Sequence, residues 1–326
     1  MFEKKYYLKE QEKKISVRSY PKYLFLVFVF LFTINTFANI FLYPDQSKGS
    51  LLVSPLARDV IQKTVSLINS QSNSKQLKKI VLTVLGNNSN SYGVVIKNLA
   101  TGERYYLNEN KSFSAASLYK LWIMAVAYDQ IDCGQLKDTD VLSDSIEDLN
   151  NSFGISSGSA ELTDGFVSHT VKDALTQMIT VSDNYSAYLL TKKVSIQNVA
   201  DFLSVNGLNN SKIGTISSDP QSTAYDTYLF LDKLYNNELS DKESTDDMIE
   251  LLKNQKKNSK LPRELPENII IGHKTGELGG YSHDAGIVYT PKGNYIIVVM
   301  SYTNDTPSAD NNIAEISKGV YNYFTK

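Results

Sequence analysis

Apolar residues fall along this chain in two uninterrupted blocks and several periodic ones. The first block, Tyr23 to Leu42, runs twenty residues without a charge and is dense in Phe, Leu and Val, long enough for a helix to cross a bilayer. The second, Leu118 to Tyr128, has no Gly or Pro and is rich in helix formers, which predicts a buried helix. Helical patterning also marks Leu56 to Ile68, Val171 to Thr180, Tyr185 to Leu190 and a closing segment, Ile313 to Phe324. The first of these ends in a polar break, Asn69 to Ser74. Strand patterning marks Tyr92 to Leu99 and Arg104 to Leu107, joined as a hairpin by Ala100-Thr101-Gly102-Glu103. It returns in Ile269 to His273, Asp284 to Tyr289 and Tyr295 to Ser301. Between the two sets, Ser117 to Asn258 is mostly helical, apart from a Gly- and Ser-rich loop, Asn150 to Gly165, that is expected to rim a site. Strands at both ends with helices inserted predict an α+β fold, an α/β sandwich in which one antiparallel sheet is flanked by helices beside an all-helical lobe. A functional site is expected in the cleft between them.

Charge adds a topology. Seven basic residues from Lys4 to Lys22 stand against three acidic ones, a net +4, which leaves −6 for the rest of a chain whose total is −2. The positive-inside rule then puts residues 1–22 in the cytoplasm, residues 23–43 across a membrane, 44–52 as a linker and 53–326 outside. A cleaved signal peptide with secretion is the competing reading, since the densest apolar core is only Leu24 to Phe32. The absence of an Ala-x-Ala site and the long basic leader favour an uncleaved anchor. Beyond the leader no basic block suggests nucleic acid. Cys133 is the only cysteine, so no intramolecular disulfide forms, and it is expected in the core. Three histidines, His169, His273 and His283, in no ligating pattern, argue against a metal hydrolase, and no cofactor motif is present.

Three short strings carry the chemistry. Ser117-Leu118-Tyr119-Lys120 starts the buried run, so Ser117 sits at the positive end of the helix dipole and Lys120 lies one turn on, on the same face. A lysine among apolar neighbours has its charged form disfavoured, and in its neutral form it can take the Ser117 proton. Ser182-Asp183-Asn184 lies between two helical segments. Ser182 is placed to pass a proton to a leaving nitrogen and Asn184 to hydrogen-bond Lys120 or a substrate amide, while Asp183 holds the turn. Lys274-Thr275-Gly276 ends a β-rich run; its lysine and hydroxyl suit a substrate carboxylate, and Gly276 lets the backbone come close to a developing oxyanion. Taken alone each string is weak: Ser72-Asn73-Ser74-Lys75 repeats the first spacing with no such context. His283-Asp284 invites a Ser-His-Asp triad, but the lysine already supplies a base and neighbours on a strand face opposite ways.

In this order the strings resemble the signature set of class A β-lactamases and of penicillin-binding D-alanyl-D-alanine peptidases, and the resemblance covers roughly Val53 to Lys326. It implies a β-lactamase/transpeptidase-like fold, an acylated Ser117, Lys120 as general base and Ser182 as proton shuttle. It further implies Asn184, Lys274, Thr275 and Gly276 as the substrate-binding set and the backbone N–H groups of Ser117 and Glu277 as oxyanion hole. One expected part is missing. The loop glutamate that activates the deacylating water in class A enzymes has no counterpart: Gly207 to Tyr225 holds no glutamate and only one carboxylate, Asp219. The resemblance thus implies an acyl-enzyme formed from a β-lactam, with slow deacylation. The alternatives are a peptidase acting on D-Ala-D-Ala cell-wall peptides and a non-catalytic peptidoglycan-binding sensor.

Overall fold

The computed structural model describes residues 73–215 and 218–326. The leader, the membrane span, the linker and the helical run Leu56 to Ile68 lie outside the described residues, among which no helix is long and apolar enough to cross a membrane.

Five strands form one antiparallel sheet: β1 (Tyr92–Asn98), β2 (Arg104–Leu107), β7 (Ile270–Leu278), β8 (Tyr281–Tyr289) and β9 (Tyr295–Tyr302), in the order β2-β1-β9-β8-β7. Alternation along β9 divides the core. Ile297 and Val299 pack with Leu77, Val81 and Leu85 of α1 (Lys75–Leu85) and with Ile313, Ile316 and Val320 of α9 (Thr306–Phe324). Ile296, Val298 and Met300 face the other way, into the helical lobe, as the two-residue strand repeat requires. The lobe comprises α2 (Lys120–Asp132), α3 (Ile146–Ser152), α4 (Val171–Thr180), α5 (Asn184–Val194), α6 (Ile196–Val205), α7 (Ala224–Tyr235) and α8 (Lys242–Lys253). Its axis is α2, buried at every position from Lys120 to Ala127, the pattern of a helix with neighbours on all sides.

Caps explain where the helices begin. Eight of the nine described helices start behind a Ser, Thr or Asp side chain that accepts a backbone N–H. Only α2 starts without such a cap, because a 3-10 turn, Ala116–Tyr119, feeds it directly. Ser74, from the second serine–lysine spacing, is the cap of α1 and bonds the Glu103 carboxylate; its role is structural.

The sequence reading needs correction at several points. The middle of the chain is less helical than its composition implies, since β4 (Val141–Ser145) pairs with β5 (Phe166–Thr170), and β3 (Phe113–Ser114) with β6 (Gln221–Ser222). Helix α1 went unmarked, although Leu77, Val81 and Leu85 recur at helical spacing. The polar loop from Asn150 begins as the last three residues of α3, Asn150 to Ser152. The Lys274 string does not follow a strand but lies inside β7. Cys133 is exposed, not in the core: it is the C-cap of α2, where Gly134 at φ 70° turns the chain away from the apolar run.

Where β7 and β8 pair, Gly286 faces His273, and a Cβ there would stand 2.6 Å from the His273 Cβ and 2.8 Å from the Gly272 carbonyl. Gly286→Ala must therefore part the strands. It should lower the unfolding free energy by about 1–3 kcal/mol, read from urea denaturation; an unchanged midpoint would contradict this close approach.

Candidate active site

Ser117 stands on the 3-10 turn, not in the α-helix that its sequence context predicts. The preceding residue, Ala116, has φ +44°, a left-handed conformation that costs a residue with a Cβ of order 1–3 kcal/mol. That twist sends Leu118 into the core and leaves Ser117 half-buried beside the cleft. Lys120 follows as the first residue of α2, still one turn away.

Lys120 has no exposed surface. Its Nζ donates to Ser182 O at 2.6 Å, Asn184 Oδ1 at 2.7 Å, Ser182 Oγ at 3.3 Å and Asp183 O at 3.3 Å. Ser117 Oγ is not among these acceptors. Four oxygens around three N–H bonds suit the ammonium; the neutral amine gives one up and gains a lone pair, the form able to take a proton. Burial pulls Lys120 down to about 7, with Lys257 adding to the fall while Asp183 and Glu161 oppose it.

Ser182 lies in the turn between α4 and α5, with φ +64°. Its hydroxyl also accepts from Lys274 Nζ at 3.0 Å. With both lone pairs engaged by lysines, the Ser182 O–H is left to point elsewhere. Asp183 has the structural role expected of it: it is the N-cap of α5 and accepts from Ser186 N at 2.6 Å. Lys274 is wholly buried, its other bond being to Thr275 O at 2.9 Å. Burial, then the charge of Lys120, push Lys274 well below the ordinary lysine range.

Strand β7 closes the site against the 3-10 turn. A Cβ on Gly276 would lie 3.2 Å from Ala115 O and 3.3 Å from the Leu118 side chain, so glycine allows the contact that sets Glu277 beside Ser117. Burial raises the Glu277 carboxyl, but the hydrogen bond from fully buried Lys260 at 2.7 Å, with Lys257 and Lys274 nearby, outweighs it and holds the group below its usual range.

Two clefts meet at Ser117, Asn184 and Glu277. One, of about 320 Å³, is polar and bordered by Glu161, Ser182, Asp183, Lys257 and Thr275. The other, of about 280 Å³, is mostly apolar and has Asp219 at its edge. Of the expected substrate-binding residues, Asn184 and Thr275 border a cleft, whereas Lys274 lies behind the wall and borders neither. Glu161 and Lys257 were not foreseen. Glu161 accepts from Asn184 Nδ2 at 2.6 Å, on a loop that Tyr185 pins through the Leu162 backbone at 2.8 Å. The signal available for Glu161 was its place in the polar loop marked as a rim; nothing local marks Lys257.

Two of the histidines, His273 and His283, are buried and hydrogen-bonded within the fold. His283 Nε2 donates to Ser114 O at 2.8 Å and its Nδ1 accepts from Ser301 N at 3.1 Å, and burial keeps it neutral, at about 4. Asp284 instead bonds His273 at 2.8 Å and the Leu261 N–H at 3.0 Å, so no Ser-His-Asp triad forms with Ser117. Among the described residues no cluster of His, Cys, Asp and Glu is arranged to hold a metal ion.

Residues 74–324 match the model of the beta-lactamase enzyme family. The curated beta-lactamase VEB-1 of Pseudomonas aeruginosa is 24% identical over 284 residues, covering 80% of this chain and 94% of that protein. Among solved structures, a beta-lactamase from Sphaerobacter thermophilus superimposes with a TM-score of 0.66 at 23% identity, over 76% of this chain and 97% of its own. The protein PBP-A gives 0.67 at 21% identity, over 78% and 97%, and a variant of it has been solved as an acyl-enzyme complex with penicillin G.

Carbon-13 labelling of lysine should reveal a Cε resonance titrating near pH 7, and Lys120→Met should remove it. The charged form is the disfavoured one in the fold. Lys120 therefore costs stability below about pH 7, and the cost is relieved as pH rises towards the ordinary value of 10.5. The same substitution should flatten that rise in stability; a Lys120 titrating above 10 would overturn the assignment.

Proposed function

The chain belongs to the beta-lactamase enzyme family, and from that premise we propose that it is a serine hydrolase forming an acyl-enzyme on Ser117 from a β-lactam amide. The observation that carries this reading is the buried Lys120, held near neutrality beside Ser182 and Asn184. Ser117 Oγ attacks the carbonyl carbon and its proton passes to neutral Lys120. The backbone N–H groups of Ser117 and Glu277 receive the developing oxyanion. The C–N bond breaks as Ser182 gives its proton to the leaving nitrogen, and the Lys120 proton restores Ser182 across their 3.3 Å contact. Thr275 and Lys257, on the polar cleft, receive the substrate carboxylate. Lys274 acts from behind through Ser182.

Deacylation is the slow half. No glutamate occurs from Gly207 to Tyr225, and Asp219 is exposed at the rim of the apolar cleft. Lack of an activated water costs about two to four orders of magnitude in rate. This favours a second reading of the same chemistry, in which the natural substrate is a cell-wall peptide ending in D-Ala-D-Ala and β-lactams act as inhibitors. The PBP-A acyl-enzyme with penicillin G supports either reading. We further propose that residues 23–43 anchor the enzyme with its catalytic part outside the cytoplasmic membrane, on the strength of the basic leader before an uncharged span.

Intact-mass spectrometry of the full chain in detergent should show one penicillin added, dependent on Ser117, at a rate rising with pH through about 7 as Lys120 loses its proton. An adduct lasting minutes fits the peptidase-like reading and one gone in seconds the lactamase. No adduct with folded protein would refute both and leave a peptidoglycan-binding sensor. For the anchor, protease added to intact spheroplasts should remove the catalytic part; full protection would refute the orientation.

A further inference from the structure

On the polar side of Ser117 one anion is already in place. Strand β7 turns every second side chain to the same face, so Glu277 points the same way as Thr275, towards the polar cleft that both border. One Glu277 oxygen accepts from Lys260 Nζ at 2.7 Å, and the other lies 4.0 Å from Lys257 Nζ. Lys260 has no exposed surface, whereas Glu277 is half exposed. The buried ammonium therefore pins a carboxylate at the mouth of the cleft. Among the described residues that border this cleft, Lys257 is the only cation.

We propose that Glu277 is a specificity-determining residue, a resident carboxylate that competes with the substrate's own carboxylate for Lys257. The site thereby accepts a leaving half without a free carboxylate, such as an amidated peptide end or an internal peptide bond, about as readily as one that carries it. This rests on the acyl-serine reading and on the part of Lys257 in it.

Glu277 is charged whenever the site can work. Burial raises its carboxyl group, but Lys260, Lys257 and Lys274 hold it below the usual range, so it is ionised near pH 7, where Lys120 becomes neutral. Nor can it swing away, because leaving Lys260 would strand an unpaired ammonium in the interior. The other acceptors open to Lys260 are poor: His283 O at 3.4 Å and Asp310 at 3.8 Å, and Asp310 is already engaged by Ser282 Oγ. A substrate carboxylate on Thr275 and Lys257 then lies beside Glu277, two residues along the same strand face, about 7 Å between α-carbons. Two anions share one half-exposed lysine, since Lys260 is committed and Lys274 borders neither cleft. Like charges at such range oppose each other, and the pull of Lys257 is partly neutralised before the substrate arrives. A neutral leaving half meets no such repulsion.

The test compares benzylpenicillin with its methyl ester, which differ only in the carboxylate of the leaving half. With the full chain the acid should acylate less than about tenfold faster than the ester; a larger ratio would overturn the proposal. Glu277→Gln removes the charge while its carboxamide oxygen still accepts from Lys260. It should raise the acid-to-ester ratio by about fivefold or more. A Glu277 with only a structural role would slow both compounds alike, and an unchanged or lower ratio in the folded variant would overturn the proposal. Where the variant does not fold, the ratio in the unaltered chain decides. NMR titration of Ser117→Ala protein with N-acetyl-D-alanyl-D-alanine and its C-terminal amide separates this inference from its premise. If neither penicillin acylates the chain, the acyl-serine reading fails and binding decides. Adding Glu277→Gln should then favour the acid over the amide by the same factor, and no such gain would overturn the resident anion as well.

Discussion

Everything at this site depends on two amines held out of water against one hydroxyl. Lys120 and Lys274 are both fully buried and both reach Ser182 Oγ. The descent of Lys120 from 10.5 to about 7 corresponds to about 5 kcal/mol of disfavour for its charged form. A cost of that size is sustained only by acceptors already in place. Three stretches far apart in sequence supply them: the head of α2, the turn between α4 and α5, and β7. The sheet and the helical lobe must therefore meet with little tolerance. Gly276, against Ala115 and Leu118, is where β7 comes close enough to the 3-10 turn.

The same web separates two chemical tasks that a hydrolase must perform. In the proposed acylation the return of the proton from Lys120 to Ser182 uses a contact already in place at 3.3 Å, whereas Ser117 must come within reach of Lys120 for the first transfer. Releasing the acyl group needs something different, a water held and polarised over the ester. On one side of Ser117 the cleft is lined largely by apolar side chains, with Asp219 exposed at its margin, and on the other Glu161 borders the polar cleft. An apolar wall neither orients nor deprotonates water.

How much of this could be read from the chain depends on the range of the physics. Ser117 and Lys120, three residues apart, and Ser182 through Asn184 in one turn are local relations, so spacing alone put them on common faces. The five sheet strands were legible because short runs rich in Val, Ile and Tyr, bounded by turn signals, mark strands even where burial on both faces removes alternation. Part of the cleft was not legible, because Lys257 and Ile213 gain their places from long-range packing that leaves no local period, whereas Phe153 and Ile155 fall within the loop marked as a rim. Cys133 was misplaced for a related reason: burial statistics speak for cysteines in general, whereas its position just past the last turn of α2 decides this one. The Lys274 string reads as the end of a strand because the β-rich run before it, Ile269 to His273, is short. Here Gly276 continues β7 and lies close against Ala115, Leu118 and His283, where a Cβ would make contacts of 3.2–3.3 Å.

Two backbone angles show what sequence reading misses most completely. Ala116 and Ser182 both have positive φ, without the glycine that would announce it. At Ser182 the hydroxyl accepts from both lysines, contacts that a glycine would lose; at Ala116 a glycine would relax the turn but widen the choice of directions for Ser117. Each residue costs of order 1–3 kcal/mol, and each is bonded in a way that holds it. The Ser182 carbonyl accepts the shortest of the Lys120 bonds, at 2.6 Å. Ala116 lies between two residues whose backbones are tied: Ala115 N donates to Pro220 O at 2.7 Å, and Leu118 N returns to Ala115 O at 2.9 Å. The strain and the buried lysine are thus mutually dependent. The left-handed turn presents the carbonyl that Lys120 needs, and the Lys120 bond holds the turn in the conformation that strain would otherwise release.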